Sequence, residues 1–266
     1  RNDPVHPMHC SSLVELLASQ TRRSVGLIRH TVVNQGVETV RREVGRLRES
    51  HQYVIFDVVD QTSLKTIAGA IYHLPVLGGS SALAEELPVK IMDRDSQTAI
   101  SPPPTNGMGI LCAAGSLMPQ TKAQVEYMRQ QGIPVFELDT LQVLDDNRRH
   151  TLVQGLCRKV GGALQEGSDV VVHTSNDPGI VAETKRRGQV AGQSAAEVSR
   201  LVSEALAEVV ANCVEELGLN RLLIAGGDTS ASVCSQLGIK GMRVWREIEP
   251  GIPSCISLGG RPLFLV

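Results

Sequence analysis

Aromatic residues are scarce: three Phe, three Tyr and one Trp make up 3% of a 266-residue sequence. So few rings cannot build the stacking platforms that hold single-stranded nucleic acid. No basic block stands out either, and 26 Lys and Arg against 28 Asp and Glu leave a net charge of −2. A nucleic-acid surface is therefore not expected. No apolar run is long enough to span a bilayer, so no membrane partner is expected. The six cysteines (Cys10, Cys112, Cys157, Cys213, Cys234, Cys255) form no C-x-x-C pair and no Cys/His cluster at metal-ligand spacing. Most lie within apolar runs and read as small core residues, which suits a reducing cytoplasm. Asp3, His6, His9 and Cys10 crowd the opening of the chain at spacings that suit no standard metal site. Familiar phosphate motifs are missing as well. Nothing matches G-x-x-x-x-G-K-[ST]; residues 188–194 come nearest, one residue short and with Gln193 where the lysine would stand. Gly107 and Gly109 precede a strand instead of following one, and G-x-S-x-G does not occur. His173 lies inside an apolar strand and reads as a satisfied core histidine.

What is present is a globular composition, 42% hydrophobic and 20% charged, in a chain long enough for one large or two medium domains. The periodicity predicts helix from Ser11 or Ser12 with Leu13, Leu16 and Leu17 on one face, strand over 25–28, helix over 37–48, buried strand over 53–59 and helix over 63–74. Asp57 and Asp60 fall at the carboxyl end of that second strand. A third strand is expected over 75–77 and a short helix over 82–86. Three consecutive prolines, Pro102 to Pro104, mark an extended linker and a domain boundary. Beyond it the pattern predicts strands over 108–114, 133–138, 170–174, 222–225, 242–245 and 262–266. Helices are expected over 121–131, 145–164 and 194–217, the last with Ala195, Val198, Leu201, Val202, Ala205, Val209 and Val210 inward. Strand and helix alternation of this kind implies an α/β fold with mostly parallel sheets, whose ligands gather at the carboxyl ends of the strands.

The chain is organised around residues 221–239. A buried strand runs into Gly226 and Gly227, and Asp228, Thr229 and Ser230 are each able to cap the helix that follows. Such a turn leaves backbone N–H groups and a helix dipole directed at one spot, where a phosphate would sit. A tight β-α turn without a ligand is the plainer alternative. Similar turns follow other strands: Gly78, Gly79, Ser80 and Ser81; Gly115 and Ser116; and Ser175, Asp177 and Gly179. All are rich in amides and hydroxyls, and only Asp177 and Asp228 carry charge. The pattern suits an anion held by amides with a carboxylate nearby for a divalent metal or a hydroxyl proton.

These motifs, in this order, resemble the four-carbon acid sugar kinase family. The likeness rests on residues 6–8, the helix over 13–21, Val25 to Ile28, Gly78 to Leu83, Gly226 to Thr229, and residues 237–239 and 249–253. It implies two α/β domains with an interdomain cleft: residues 1–92 as the later part of an acid-sugar-binding domain, 93–106 as linker, and 107–266 as a nucleotide-binding domain. It also implies a kinase that uses ATP and Mg2+ to phosphorylate the terminal hydroxyl of a tetronate-type acid, with a homodimer as a possible assembly. Nucleotide contacts are implied at Gly115, Ser116, Gly226, Gly227, Asp228 and Thr229, and a Mg2+ contact at Asp228; no catalytic base is implied. Three departures stand out: Met118 replaces a serine of the family's Gly-Ser-Cys-Ser turn, and the opening Asp-Asp-x-Thr-Gly-Ala and closing Lys-Ser-Gly segments are missing. A fragment of a longer chain is therefore expected. A non-catalytic nucleotide- or sugar-acid-binding protein, and a scaffold whose turns bind nothing, are the alternatives.

Overall fold

The computed structural model describes residues 9–87, 101–102, 106–249, 251–260 and 262–266. Most of the expected linker lies outside them, as do Asp3, residues 6–8 and Pro250. The chain forms two compact units, residues 1–98 and 99–266.

In the first unit, α1 (Leu13–Gln20) starts where Ser12 Oγ accepts the Glu15 N–H at 3.3 Å. On it Leu17 is half-buried, Leu13 and Leu16 are exposed, and no residue is fully buried. The helix lies beside β1 (Val25–Ile28). A short α2 (His30–Val33), not expected, precedes α3 (Val37–Leu47), which buries Val40, Val44 and Leu47. β2 (Tyr53–Phe56) pairs with β1 in parallel, Val25 opposite Tyr53. It is shorter and less buried than expected. The Asp57 N–H makes the last bond, to Ile28 O at 3.0 Å, and Val58 and Val59 lie beyond that rung, exposed. α4 (Gln61–Ile71) and α5 (Ser81–Glu86) follow. The strand expected over 75–77 does not form: among the described residues these find no sheet partner, and Val76 is 85% exposed. Ile28, Val33, Val40, Val44, Ile67 and Ile71 make this unit's core.

The second unit runs β3 (Leu111–Ala114), α6 (Pro119–Gln130), β4 (Val135–Leu138), α7 (Thr140–Val143), α8 (Asp146–Gln165), β5 (Val170–Thr174), α9 (Pro178–Val190), α10 (Ala195–Leu217), β6 (Arg221–Ala225), α11 (Gly227–Gln236), β7 (Met242–Glu249), β8 (Ile252–Ser257) and β9 (Phe264–Leu265). Sheet order is β4-β5-β3-β6-β9-β8-β7. The strands from β4 to β9 are parallel, while β8 pairs antiparallel with both β9 and β7. β3 starts later than expected because Ile110 N–H turns to Asp169 Oδ1 at 2.8 Å, and Gly109 is packed against the Ser168 carbonyl. α6 begins at Pro119, two residues before the expected start, since proline is favoured at a first helical position. Ser194 caps α10 in a reciprocal capping box with Glu197. Of the residues expected inward on α10, Ala195, in the first turn, is exposed and Leu201 and Val202 are half-buried; Leu206 and Ala207 are buried as well.

The sheet has two unlike faces. Val125 of α6 packs on Cys112, Ala114 and Val171. Leu111, Val170, Val172 and Leu222 point the other way, into a larger core with α8, α10 and Val233 of α11. His173 is 3% exposed, with Nδ1 at 2.8 Å from Thr174 O, the satisfied histidine expected.

Candidate functional site

The connection from β3 goes through α6 toward β4 on one side of the sheet, whereas that from β6 goes through α11 toward β7 on the other. The carboxyl ends of β3 and β6, which are neighbours, therefore flank the topological switch point, where open α/β sheets form a crevice for ligands. Two of the turns singled out in this half of the sequence, at Gly115 and at Gly226, lie there.

Backbone bonds tie the two turns together. Ala225 O, the last carbonyl of β6, accepts the N–H groups of Gly115 at 3.0 Å and Ser116 at 3.2 Å. Gly226 takes φ +131°, a conformation that L side chains rarely adopt, and a Cβ there would stand 3.2 Å from Ser116 N. A Cβ on Gly115 would come within 2.0 Å of Thr229 Oγ1, and Thr229 is 2% exposed. The turns thus pack closely, Gly226 against the Ser116 backbone and Gly115 against the Thr229 side chain. α11 begins at Gly227 with Gly226 as its N-cap and no side chain capping it. Asp228, Thr229 and Ser230 lie inside the helix instead of capping it, contrary to expectation. Ser230 turns its hydroxyl back to Gly226 O at 2.9 Å. With the cap position filled by glycine, the first-turn amides have no side-chain acceptor and the dipole of α11 opens on the crevice.

Around this corner the remaining predicted residues have varied surroundings. Asp228 is exposed in the first turn of α11. Ser116 Oγ accepts the Met118 N–H at 3.3 Å, and Met118, 57% exposed, precedes α6 without capping it by its side chain. Ser175 follows β5, one strand over from β3, but its hydroxyl is committed to Glu137 Oε1 at 2.5 Å. Asp177 caps α9 through the N–H groups of Gly179 and Ile180 at 2.8 and 3.1 Å. Gly78, Gly79 and Ser80 belong to the other unit, where Ser80 precedes α5 and Leu83 folds over Gly79. In that unit Asp57 Oδ2 accepts the His30 N–H at 3.3 Å, and Asp60 caps α4 through Ser63 N–H at 2.8 Å. Among the described residues no group of three or more His, Cys, Asp or Glu is gathered as a metal site, and no helix is long and apolar enough to cross a membrane. Lys122, on the sheet-facing side of α6, was not singled out by sequence; its ammonium donates to the Asn176 carbonyl beyond β5.

The second unit is a doubly wound α/β fold whose switch point is formed by two glycine turns and the uncapped start of α11. A family model described as a nucleotide-binding C-terminal domain matches residues 111–266, and one described as a sugar-binding N-terminal domain matches residues 1–87. The chain belongs to the four-carbon acid sugar kinase family. It is 31% identical to a 3-oxo-tetronate kinase of Pseudomonas fluorescens over 100% of this chain and 60% of that protein. It is 27% identical to a 3-oxo-isoapionate kinase of Paraburkholderia graminis over 97% of this chain and 57% of that protein. A crystal structure of a Salmonella typhimurium protein matches with TM-score 0.75 and 27% identity, over 99% of this chain and 60% of the other. The chain thus spans about 60% of the length of curated relatives that it matches along its whole length.

Proposed function

We propose that the chain binds a nucleoside triphosphate where the Gly115-Ser116 turn meets Gly226 to Thr229, and serves an ATP-dependent kinase that phosphorylates the terminal hydroxyl of a four-carbon, tetronate-type sugar acid. The observation that carries this reading is the close packing of two glycine turns at the switch point, with Gly115 against the Thr229 side chain, Gly226 against the Ser116 backbone and the start of α11 uncapped by a side chain. The relatives named 3-oxo-tetronate kinase support the substrate class. In this reading residues 107–266 form the nucleotide-binding domain, residues 1–92 contribute to the acid-sugar domain, and residues 93–106 link them. Six free cysteines accord with a reducing cytoplasm.

The corner suits a polyphosphate for physical reasons. Amides fixed by the fold need no reorganisation to face an anion, so they favour charge that develops on transferred phosphoryl oxygens. ATP, when bound, supplies the phosphoryl group. Gly227, Asp228 and Thr229 would orient it through backbone N–H groups, and the Ser116 hydroxyl would turn from Met118 to it. The Asp228 carboxylate would provide one ligand to Mg2+, leaving phosphate oxygens and water for the rest of its octahedron.

A Cβ at Gly227 meets nothing within 4 Å, so Gly227→Leu adds bulk beside the first-turn amides of α11 without forcing the fold. Calorimetric titration with ATP and Mg2+ is expected to give binding heat with the wild-type chain and at least about tenfold weaker binding with Gly227→Leu, at unchanged melting temperature. No heat from the wild type, or equal heat from the variant, sinks the reading. ADP release measured against a panel of four-carbon sugar acids separates a kinase from a protein that only binds.

A further inference from the structure

Lys122 stands out as a charge in an apolar position. It lies on the side of α6 that also carries Val125 and Met128, the residues packed on Cys112, Ala114 and Val171. A half-buried lysine there takes its long stem along the sheet and delivers its ammonium to the carboxyl-end rim. The partner it finds is the neutral carbonyl of Asn176, just past the end of β5. Among the described residues it takes part in none of the ion pairs. A carbonyl satisfies one of three donors and leaves the charge uncompensated.

Its position relative to the glycine corner follows from strand order. β5 and β6 flank β3, and Ala114 is opposite both His173 and Ala225. Neighbouring strands are about 4.8 Å apart, so the rim of β5 is within reach of a phosphate chain that starts at the β3–β6 corner. We propose that Lys122 is a phosphate-contacting residue of the nucleotide site: it exchanges the Asn176 carbonyl for a phosphate oxygen when a triphosphate binds. The inference rests on the reading of the corner as a nucleotide site and adds a cation to it. Here the lysine arrives from the helix after β3, not from the glycine turn itself.

A lysine that only clamps α6 to the loop after β5 would have a different signature. The test compares ATP and adenosine binding to the wild-type chain, Lys122→Gln, Lys122→Arg and Gly227→Leu, with melting temperatures alongside. Loss of a charge-assisted bond to phosphate is expected to weaken ATP about tenfold in Lys122→Gln. Adenosine affinity and melting temperature stay as in the wild type, Lys122→Arg retains most ATP affinity, and the salt dependence of ATP binding flattens in the glutamine variant. ATP affinity unchanged in Lys122→Gln, or ATP and adenosine weakened together with a lower melting temperature, overturns the inference. If the first of these comes with lost binding in Gly227→Leu, the nucleotide corner stands without Lys122. If the wild type binds no ATP, both fall.

Discussion

One close contact at the candidate corner joins a glycine and a threonine far apart in sequence. Adding one methyl at Gly115 would bring carbon to within 2.0 Å of Thr229 Oγ1. Thr229 is buried at the start of α11 and has no free side to retreat to, so Gly115→Ala is expected to cost about 1–3 kcal/mol in denaturant unfolding. In a Thr229→Ala background the same change should cost clearly less, a coupling that separates this clash from a general glycine effect. Asp60 offers a pH test in the other unit. Its carboxyl is held below the ordinary range first by the Ser63 N–H, then by the Ser63 hydroxyl, with His30 contributing. A folded pKa below the unfolded one gives stability that is complete above the unfolded value and is lost as pH falls through the folded one. Asn can still cap a helix, so Asp60→Asn isolates the charge. The stability gap between wild type and variant is expected to be open near neutral pH and to narrow as urea unfolding is repeated below about pH 4.

At the scale of elements, burial decides where apolar periodicity matters. Leu206 of α10 is fully buried against the main core, whereas Leu13 of α1 is exposed. Leu206→Ala is expected to destabilise by about 2–5 kcal/mol and Leu13→Ala to stay within about 0.5 kcal/mol, both measured by chemical denaturation. The same contrast explains which elements were legible. α3 and α10 carry strong stripes and clear ends, and β5 and β6 are short apolar runs closed by turn residues. α9 was missed because Asp177-Pro178-Gly179 reads as a turn, yet Asp177 is its N-cap and Pro178 its first residue, the one place where proline helps a helix. β8 was missed because Pro253 argues against a strand, although it stands beside a register irregularity with β7 and outside the stretch paired with β9. Residues 75–77 have a strand's composition and no neighbour to pair with.

At the scale of the whole chain, the two units keep separate cores: residues 28–71 supply the buried cluster of one, and residues 111–265 those of the other. Residues 107–266 expressed alone are therefore expected to fold cooperatively and to bind ATP within a few-fold of the full chain, as checked by calorimetry and thermal unfolding. Loss of ATP binding in a well-folded 107–266 protein would count against the proposed domain assignment.

Local chemistry was within the reach of the sequence. Apolar runs ending in glycine, capping serines and helical stripes act over a few residues, so the strand-turn-helix units, the α/β class and the amide-rich turns followed from composition and spacing. Which turns meet was not. Gly115 touches Thr229 because β3 and β6 are neighbours, and Lys122 reaches Asn176 because β5 lies on the other side of β3. That order comes from which helix faces pack on which side of the sheet, a property of the assembled core that no single stretch of sequence carries.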